Sequence, residues 1–206
     1  MIDSRMLDEH SALRADIYRL LARLIVAPPD NDLMDFLSGL EGEPDGGPLA
    51  TQWSLLAEAA KSSDRTALER AHFRHLVGVI EGEVVPYGSW YLHGTLMDEF
   101  LVHLRSDLRQ LGFERRQYTH DPEDHFSALC EVMALLVETR SQEQGRFFQR
   151  HLAPWAMACM KDLSAVDTDL YAAVGGLAGA YLELENERLV VGPQHDAVRM
   201  IDLTPG

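Results

Sequence analysis

Leu13-Arg14-Ala15-Asp16-Ile17-Tyr18-Arg19-Leu20-Leu21-Ala22-Arg23-Leu24, closed four residues later by Pro28-Pro29, decides the fold class. Leu13, Ile17, Leu20, Leu21 and Leu24 recur at three- and four-residue steps, which makes one face of a helix apolar. The proline pair stops it, because proline lacks the backbone donor and restricts the residue before it. The same period returns along the chain. It predicts helices over 32–40, 49–61 and 66–79, with Ser63-Asp64 capping the last of these. A long helix is expected over 89–111, ended by Gly112. The next is expected to open with Asp121 as N-cap and Pro122 in the first helical position. Its apolar face is Leu129, Val132, Met133, Leu136 and Val137. Further helices are expected over 147–160, after an interruption near Gly145, and over 165–185.

No alternating strand pattern, hairpin turn or fixed-period repeat competes with this reading. The expectation is an all-α protein: a single globular domain of roughly eight to ten helices over residues 1–189. Residues 41–48 read as an acidic, breaker-rich loop, and 190–206 as a loosely ordered tail. Segment 115–122 is polar and aperiodic, and is expected to act as a hinge through which C-terminal helices exchange between chains. Gly175-Gly176-x-x-Gly179 has no strand before it, so a close helix–helix contact is expected rather than a dinucleotide fingerprint.

With 206 residues and 46% hydrophobic side chains, the chain can bury roughly 70% of the surface its unfolded form exposes, without staples. Cys130 and Cys159 fall inside apolar helical patterns. They read as buried reduced thiols, with a redox pair or shared metal site as the other reading. The formal charge of −15 argues against nucleic acid and against anionic membrane surfaces, since both reward Lys and Arg. It favours basic partners through attraction that salt screens. The acidic start lacks the n- and h-regions of a secretion signal, and no apolar run spans a bilayer. A cytoplasmic protein without stable membrane insertion is the expectation.

Chemistry-bearing motifs of the usual kinds are missing. Glu69-x-x-His72 is one half of a di-iron pattern that needs two, and Glu99 with His103 supplies two ligands at most. Ser89 has no Gly-x-Ser-x-Gly elbow. No metal ligand set, no cofactor site and no catalytic residue is assigned. A small helical metal- or cofactor-binding enzyme remains the alternative.

Two stretches stand out instead: Val84-Val85-Pro86-Tyr87-Gly88-Ser89-Trp90-Tyr91 and Asp121-Pro122-Glu123-Asp124-His125. Each sets aromatic or acidic groups beside a proline at a helix start. In the structural reading, Ser89 caps its helix, Trp90 and Tyr91 enter the core, and Asp121, Glu123 and Asp124 complement the helix dipole. His125 is then either neutral and hydrogen-bonded or charged beside Glu123 and Asp124. In the functional reading, the polar tips of Tyr87 and Tyr91 line a peptide groove, and the acids accept guanidinium forks. Tyr87, Ser89, Trp90, Tyr91, Asp121, Glu123, Asp124 and His125 are the candidate peptide-binding residues.

Five stretches together resemble the TorD/DmsD/NarJ family of cytoplasmic molybdoenzyme chaperones. Tyr18-Arg19-Leu20-Leu21-Ala22-Arg23-Leu24 resembles its first helix. His72-Phe73-Arg74-His75-Leu76-Val77-Gly78 is similar to its LF-x-G segment, with Val77 where phenylalanine is usual. Pro86-Tyr87-x-Ser89-x-Tyr91 and Asp121-Pro122-Glu123-Asp124-His125 resemble its two signatures, with Asp121 where Glu often stands. Phe147-Phe148-x-x-His151-Leu152-x-Pro154-Trp155 is similar to its late F-x-x-H-L-x-x-W element. The resemblance covers about 13–185. It implies an all-helical, TorD-like domain, monomeric or domain-swapped. It also implies binding of the Arg-Arg (twin-arginine) signal or N-terminal peptide of a molybdopterin oxidoreductase precursor while cofactor is inserted before export. Carried over, the family's positions are Tyr87, Ser89, Tyr91, Asp124 and His125. Guanine-nucleotide binding, associated with some relatives, finds no phosphate loop in this sequence.

Overall fold

The apolar stripe of the first helix keeps four of its five expected residues: Ile17, Leu21 and Leu24 are buried and Leu20 packs against the core. In the computed structural model, which describes residues 4–40, 47–79, 81–114 and 121–190, α1 spans Ser4–Val26. Tyr18, Leu21, Leu24 and Ile25 are buried on it, whereas Leu13 is 58% exposed. Arg14 occupies the buried position instead. Its Nε and Nη2 donate to Glu185 Oε1 and Oε2 at 2.8 and 2.7 Å, and the Tyr18 hydroxyl donates to the same carboxylate at 3.0 Å. The Tyr181 hydroxyl donates to the Arg14 carbonyl at 2.9 Å. A buried pair held this way costs about 3–5 kcal/mol when one partner is removed, because the other is left unpaired.

The helices that follow are α2 (Asn31–Ser38), α3 (Gly47–Ser62), α4 (Arg65–His72), α5 (Gly88–His93), α6 (Glu99–Gln110), α7 (Phe126–Glu138), α8 (Gln144–His151), α9 (Ala156–Leu163) and α10 (Asp169–Leu189). The described residues contain no strand, only one isolated antiparallel bridge between Tyr87 and His125. α1 packs along α7, while α3 and α9 pack along α10. One hydrophobic core runs from Ala15 to Leu182. Asp64 caps α4 through the Ala67 N–H, as expected, but the helix ends in a π turn, Phe73–Val77.

The helix expected over 89–111 is two helices. Gly94 takes a left-handed φ of 71° and ends α5, Met97 follows at φ 60°, and Asp98 caps α6 through the Phe100 N–H at 2.9 Å. Glycine reaches that φ without a Cβ penalty, so it stops a helix that periodicity alone would continue. The helix expected over 147–160 is likewise split at Leu152–Trp155, around Pro154; the interruption expected near Gly145 falls at 139–143, just before α8, whose first turn contains Gly145. The glycine cluster on α10 does serve a close contact at Gly175, where a Cβ would lie 2.4 Å from the Ser164 backbone nitrogen. Both cysteines are free and buried. Residues 115–120 of the expected hinge and residues 191–206 of the expected tail lie outside the described residues, as does most of the expected loop. Among the described residues no helix is long and apolar enough to cross a membrane.

Candidate functional site

The two motif stretches meet as a short antiparallel pair. The Gly88 N–H donates to the Asp124 carbonyl at 3.0 Å, and the Phe126 N–H donates to the Pro86 carbonyl at 2.8 Å. Proline has no N–H of its own, yet its carbonyl is free to accept, so Pro86 takes part with the one group it has. Gly88 lets this pair settle onto the core: a Cβ there would lie 2.4 Å from the Phe100 ring and 2.9 Å from Trp155 Nε1.

Asp124 locks the junction. It is 0% exposed, as is Ser89. Its Oδ2 accepts from the Ser89 N–H at 2.9 Å and from the Ser89 hydroxyl at 2.5 Å, while its Oδ1 is buried without a hydrogen-bond partner. Ser89 was expected to cap its own helix. It lies instead inside the first turn of α5, after Tyr87 in the N-cap position and Gly88. The free amide of that turn is satisfied by a carboxylate from 35 residues away. A carboxylate does this better than a hydroxyl because it also complements the positive end of the peptide dipoles.

The start of α7 differs too. Asp121 is not its N-cap and Pro122 is not its first residue; the helix opens at Phe126, and His125 Nδ1 accepts from the Ser127 N–H at 3.2 Å. The Phe126 N–H is already engaged by Pro86, and residues 121–124 fold into the turn that delivers Asp124 inward. His125 is neutral: burial lowers its pKa to about 4, and an Nδ1 that accepts cannot carry a proton. Its ring meets Tyr87 edge-on, with centroids 4.8 Å apart.

Of the remaining candidates Asp121 is exposed and the others are partly buried. The half-buried Tyr87 donates its hydroxyl to Asp121 Oδ1 at 2.9 Å, and Tyr91 donates to Asp162 Oδ2 at 2.8 Å. Burial first, and the adjacent carboxylates second, push the Tyr87 phenol well above its ordinary range. Tyr91 stacks on Trp155 at 6.0 Å, whereas Trp90, expected in the core, stays half-exposed. Glu123 accepts from Arg105 at 2.9 Å. Thus Ser89, Asp124 and His125 form an interior lock, and Tyr87, Trp90, Tyr91, Asp121 and Glu123 form a rim over it.

Sequence reasoning did not single out Trp155 as the floor or Asp162 as a member of the rim. The late aromatic motif marked Trp155 in sequence, but nothing in the sequence around Asp162 set it apart. Neither motif-like metal pair grows into a site. His72 Nε2 bonds the Ile25 carbonyl, His103 lies 3.8 Å from Glu99, and no group of three potential ligands occurs among the described residues.

Asp124→Ala is expected to destabilise the fold by about 2 kcal/mol, since two donors lose a charged acceptor, whereas Asp121→Ala on the surface stays within about 0.5 kcal/mol. Urea denaturation of the two variants checks this. His125 adds a pH dependence. Its folded pKa is depressed, so between pH 6.5 and about 4 the unfolded chain binds a proton that the folded one refuses. Stability is therefore full above that window and falls on acidification, by up to about 3 kcal/mol. His125→Gln should show a shallower loss between pH 7 and 4 in the same denaturation series.

Residues 43–161 match the family model described as nitrate reductase delta subunit. Over 151 residues the chain is 28% identical to the Tat proofreading chaperone DmsD of Salmonella typhi, covering 68% of this chain and 74% of that protein. The DmsD of Salmonella typhimurium matches to the same extent. Among solved structures, a redox enzyme maturation protein from Archaeoglobus fulgidus aligns with a TM-score of 0.55 at 20% identity, over 82% of this chain and 93% of its own. That likeness speaks to the helical fold alone. The matched region takes in more than half of the 206 residues and both halves of the Tyr87–His125 junction, and the chain belongs to the nitrate reductase delta subunit family.

Proposed function

We propose that this protein is a redox-enzyme maturation chaperone. In this reading it holds the Arg-Arg signal or N-terminal peptide of a molybdopterin oxidoreductase precursor in the cytoplasm until the cofactor is inserted, without catalytic turnover of its own. The observation that carries the reading is the aromatic and acidic rim of Tyr87, Trp90, Tyr91, Asp121 and Glu123, set on the buried Ser89–Asp124 lock. Amphipathic rings offer area to an apolar segment and hydroxyls to a backbone, and exposed carboxylates match guanidinium forks. Family membership and the relatives named Tat proofreading chaperone support the same role. The lock divides the labour: Asp124, Ser89 and His125 hold the rim in place, and the rim meets the peptide. The net charge of −15 adds long-range attraction for a basic client.

The chain is monomeric or forms a dimer by exchanging α7–α10 through segment 115–122. In such a dimer the Arg14–Glu185 pair forms between chains, so monomer and dimer fractions separated by size exclusion are expected to interconvert over hours rather than seconds. The metal-dependent alternative has no observation in its favour.

Calorimetry with a client signal peptide in its Arg-Arg and Lys-Lys forms tests the central reading. The Arg-Arg form is expected to bind about tenfold tighter or more, since a lysine cannot reproduce a bidentate fork. Its affinity should also fall with rising salt. Equal affinities for the two forms, or none for either, would remove the proposal.

A further inference from the structure

We infer that Asp162 on α9 is a specificity-determining residue of this site, the acceptor for one of the two client arginines, with Asp121 accepting the other. The inference rests on the peptide-binding reading above and adds a residue that neither motif contains.

Asp162 is exposed, and its Oδ2 accepts the Tyr91 hydroxyl at 2.8 Å. A carboxylate offers about four lone-pair sites, and the phenol occupies one, so a two-pronged guanidinium still finds acceptors. Among the described residues no lysine or arginine forms an ion pair with it, whereas Glu123, Asp107 and Glu138 each have an arginine. Asp121 also accepts a tyrosine hydroxyl, that of Tyr87 at 2.9 Å, beside contacts of its own. The two tyrosines are four residues apart, about 6 Å along a helix axis. Consecutive residues of an extended peptide advance about 3.3 Å and point to opposite sides, so neighbouring arginines need acceptors from separate elements. Asp121 comes from the turn before α7 and Asp162 from α9. Between the two tyrosines in sequence lies the half-exposed ring of Trp90, a face on which a guanidinium stacks.

The phenols have a definite part. Each donates to its carboxylate, holding it in one place and leaving the remaining lone pairs outward. Burial, first, and the Cys159 and Asp162 neighbours push the Tyr91 phenol far above its usual range, so it remains a donor at any working pH.

The test is calorimetry on the full chain with four peptides, Arg-Arg, Arg-Lys, Lys-Arg and Lys-Lys, against the parent, Asp162→Asn and Asp121→Asn. In the parent each single lysine is expected to weaken binding. In Asp162→Asn the Arg-Arg peptide is expected to bind about tenfold more weakly, and one of the two single-lysine peptides should cost nothing further. Asp121→Asn should show the same insensitivity at the other arginine. Asp162→Asn binding Arg-Arg at the parent affinity would overturn the assignment, and so would an equal loss for all four peptides. Tyr91→Phe, which keeps the carboxylate, is expected to retain the arginine preference; its disappearance there would transfer the role from Asp162 to the tyrosine and overturn the assignment. A parent that does not distinguish Arg-Arg from Lys-Lys would bring down the peptide-binding reading itself, whereas a discriminating parent with an unaffected Asp162→Asn sinks only the role of Asp162.

Discussion

The buried carboxylate of Asp124 is the constraint on which the rest of the site depends. It is 0% exposed and hydrogen-bonded to both the amide and the hydroxyl of Ser89. Removing a carboxylate from water is costly, and charged hydrogen bonds offset that cost only when the donors are already in place. Here they are: the Pro86–Gly88 segment is pinned by two backbone bonds to Asp124 and Phe126, so the first turn of α5 arrives with its N–H aimed at the acid. One lock thus sets where α5 begins, where α7 begins and how the rim between them is presented.

What lies beneath the lock comes from late in the chain. Trp155 is 1% exposed, donates its indole N–H to the His151 carbonyl at 2.7 Å, and contacts both Tyr91 and Phe126. His151 in turn bonds Asp107 of α6 at 2.8 Å. The break between α8 and α9 that separates His151 from Ala156 is therefore what lets the indole reach under α5. Elsewhere in the interior the Arg14–Glu185 pair ties α1 to α10. The site consequently rests on a core held by buried polar ties as well as by apolar packing.

Among the described residues the acids play several parts according to burial. Asp124 and Glu185 are interior and structural. Asp30, Asp64 and Asp98 cap helices. Asp121 and Asp162 lie at the surface beside tyrosine hydroxyls. The charge of −15 therefore does not by itself say which acids are exposed.

The helical period was legible because it is a local property: burial at three- and four-residue steps needs no knowledge of partners, and the faces of α1 and α7 followed it closely. Breaks set by the backbone were less legible. Gly94 and Pro154 were visible as residues, but the decision to stop a helix there depended on what α5, α6, α8 and α9 had to pack against. The two motif stretches were legible as a pair of stretches, and their meeting was not, since contact across 35 residues depends on how the intervening helices fold back. That meeting moved the cap of α5 from Ser89 to Asp124 and the start of α7 from Pro122 to Phe126. It also sorted eight candidate residues into a lock and a rim. Asp162 had no signal of its own, because its place is defined wholly by the Tyr91 hydroxyl that reaches it. The sequence by itself determined the all-helical fold and the family, through local period and short motifs. Only the tertiary structure decided which acids are buried and which stay exposed, because desolvation belongs to the packed whole and not to any stretch of chain.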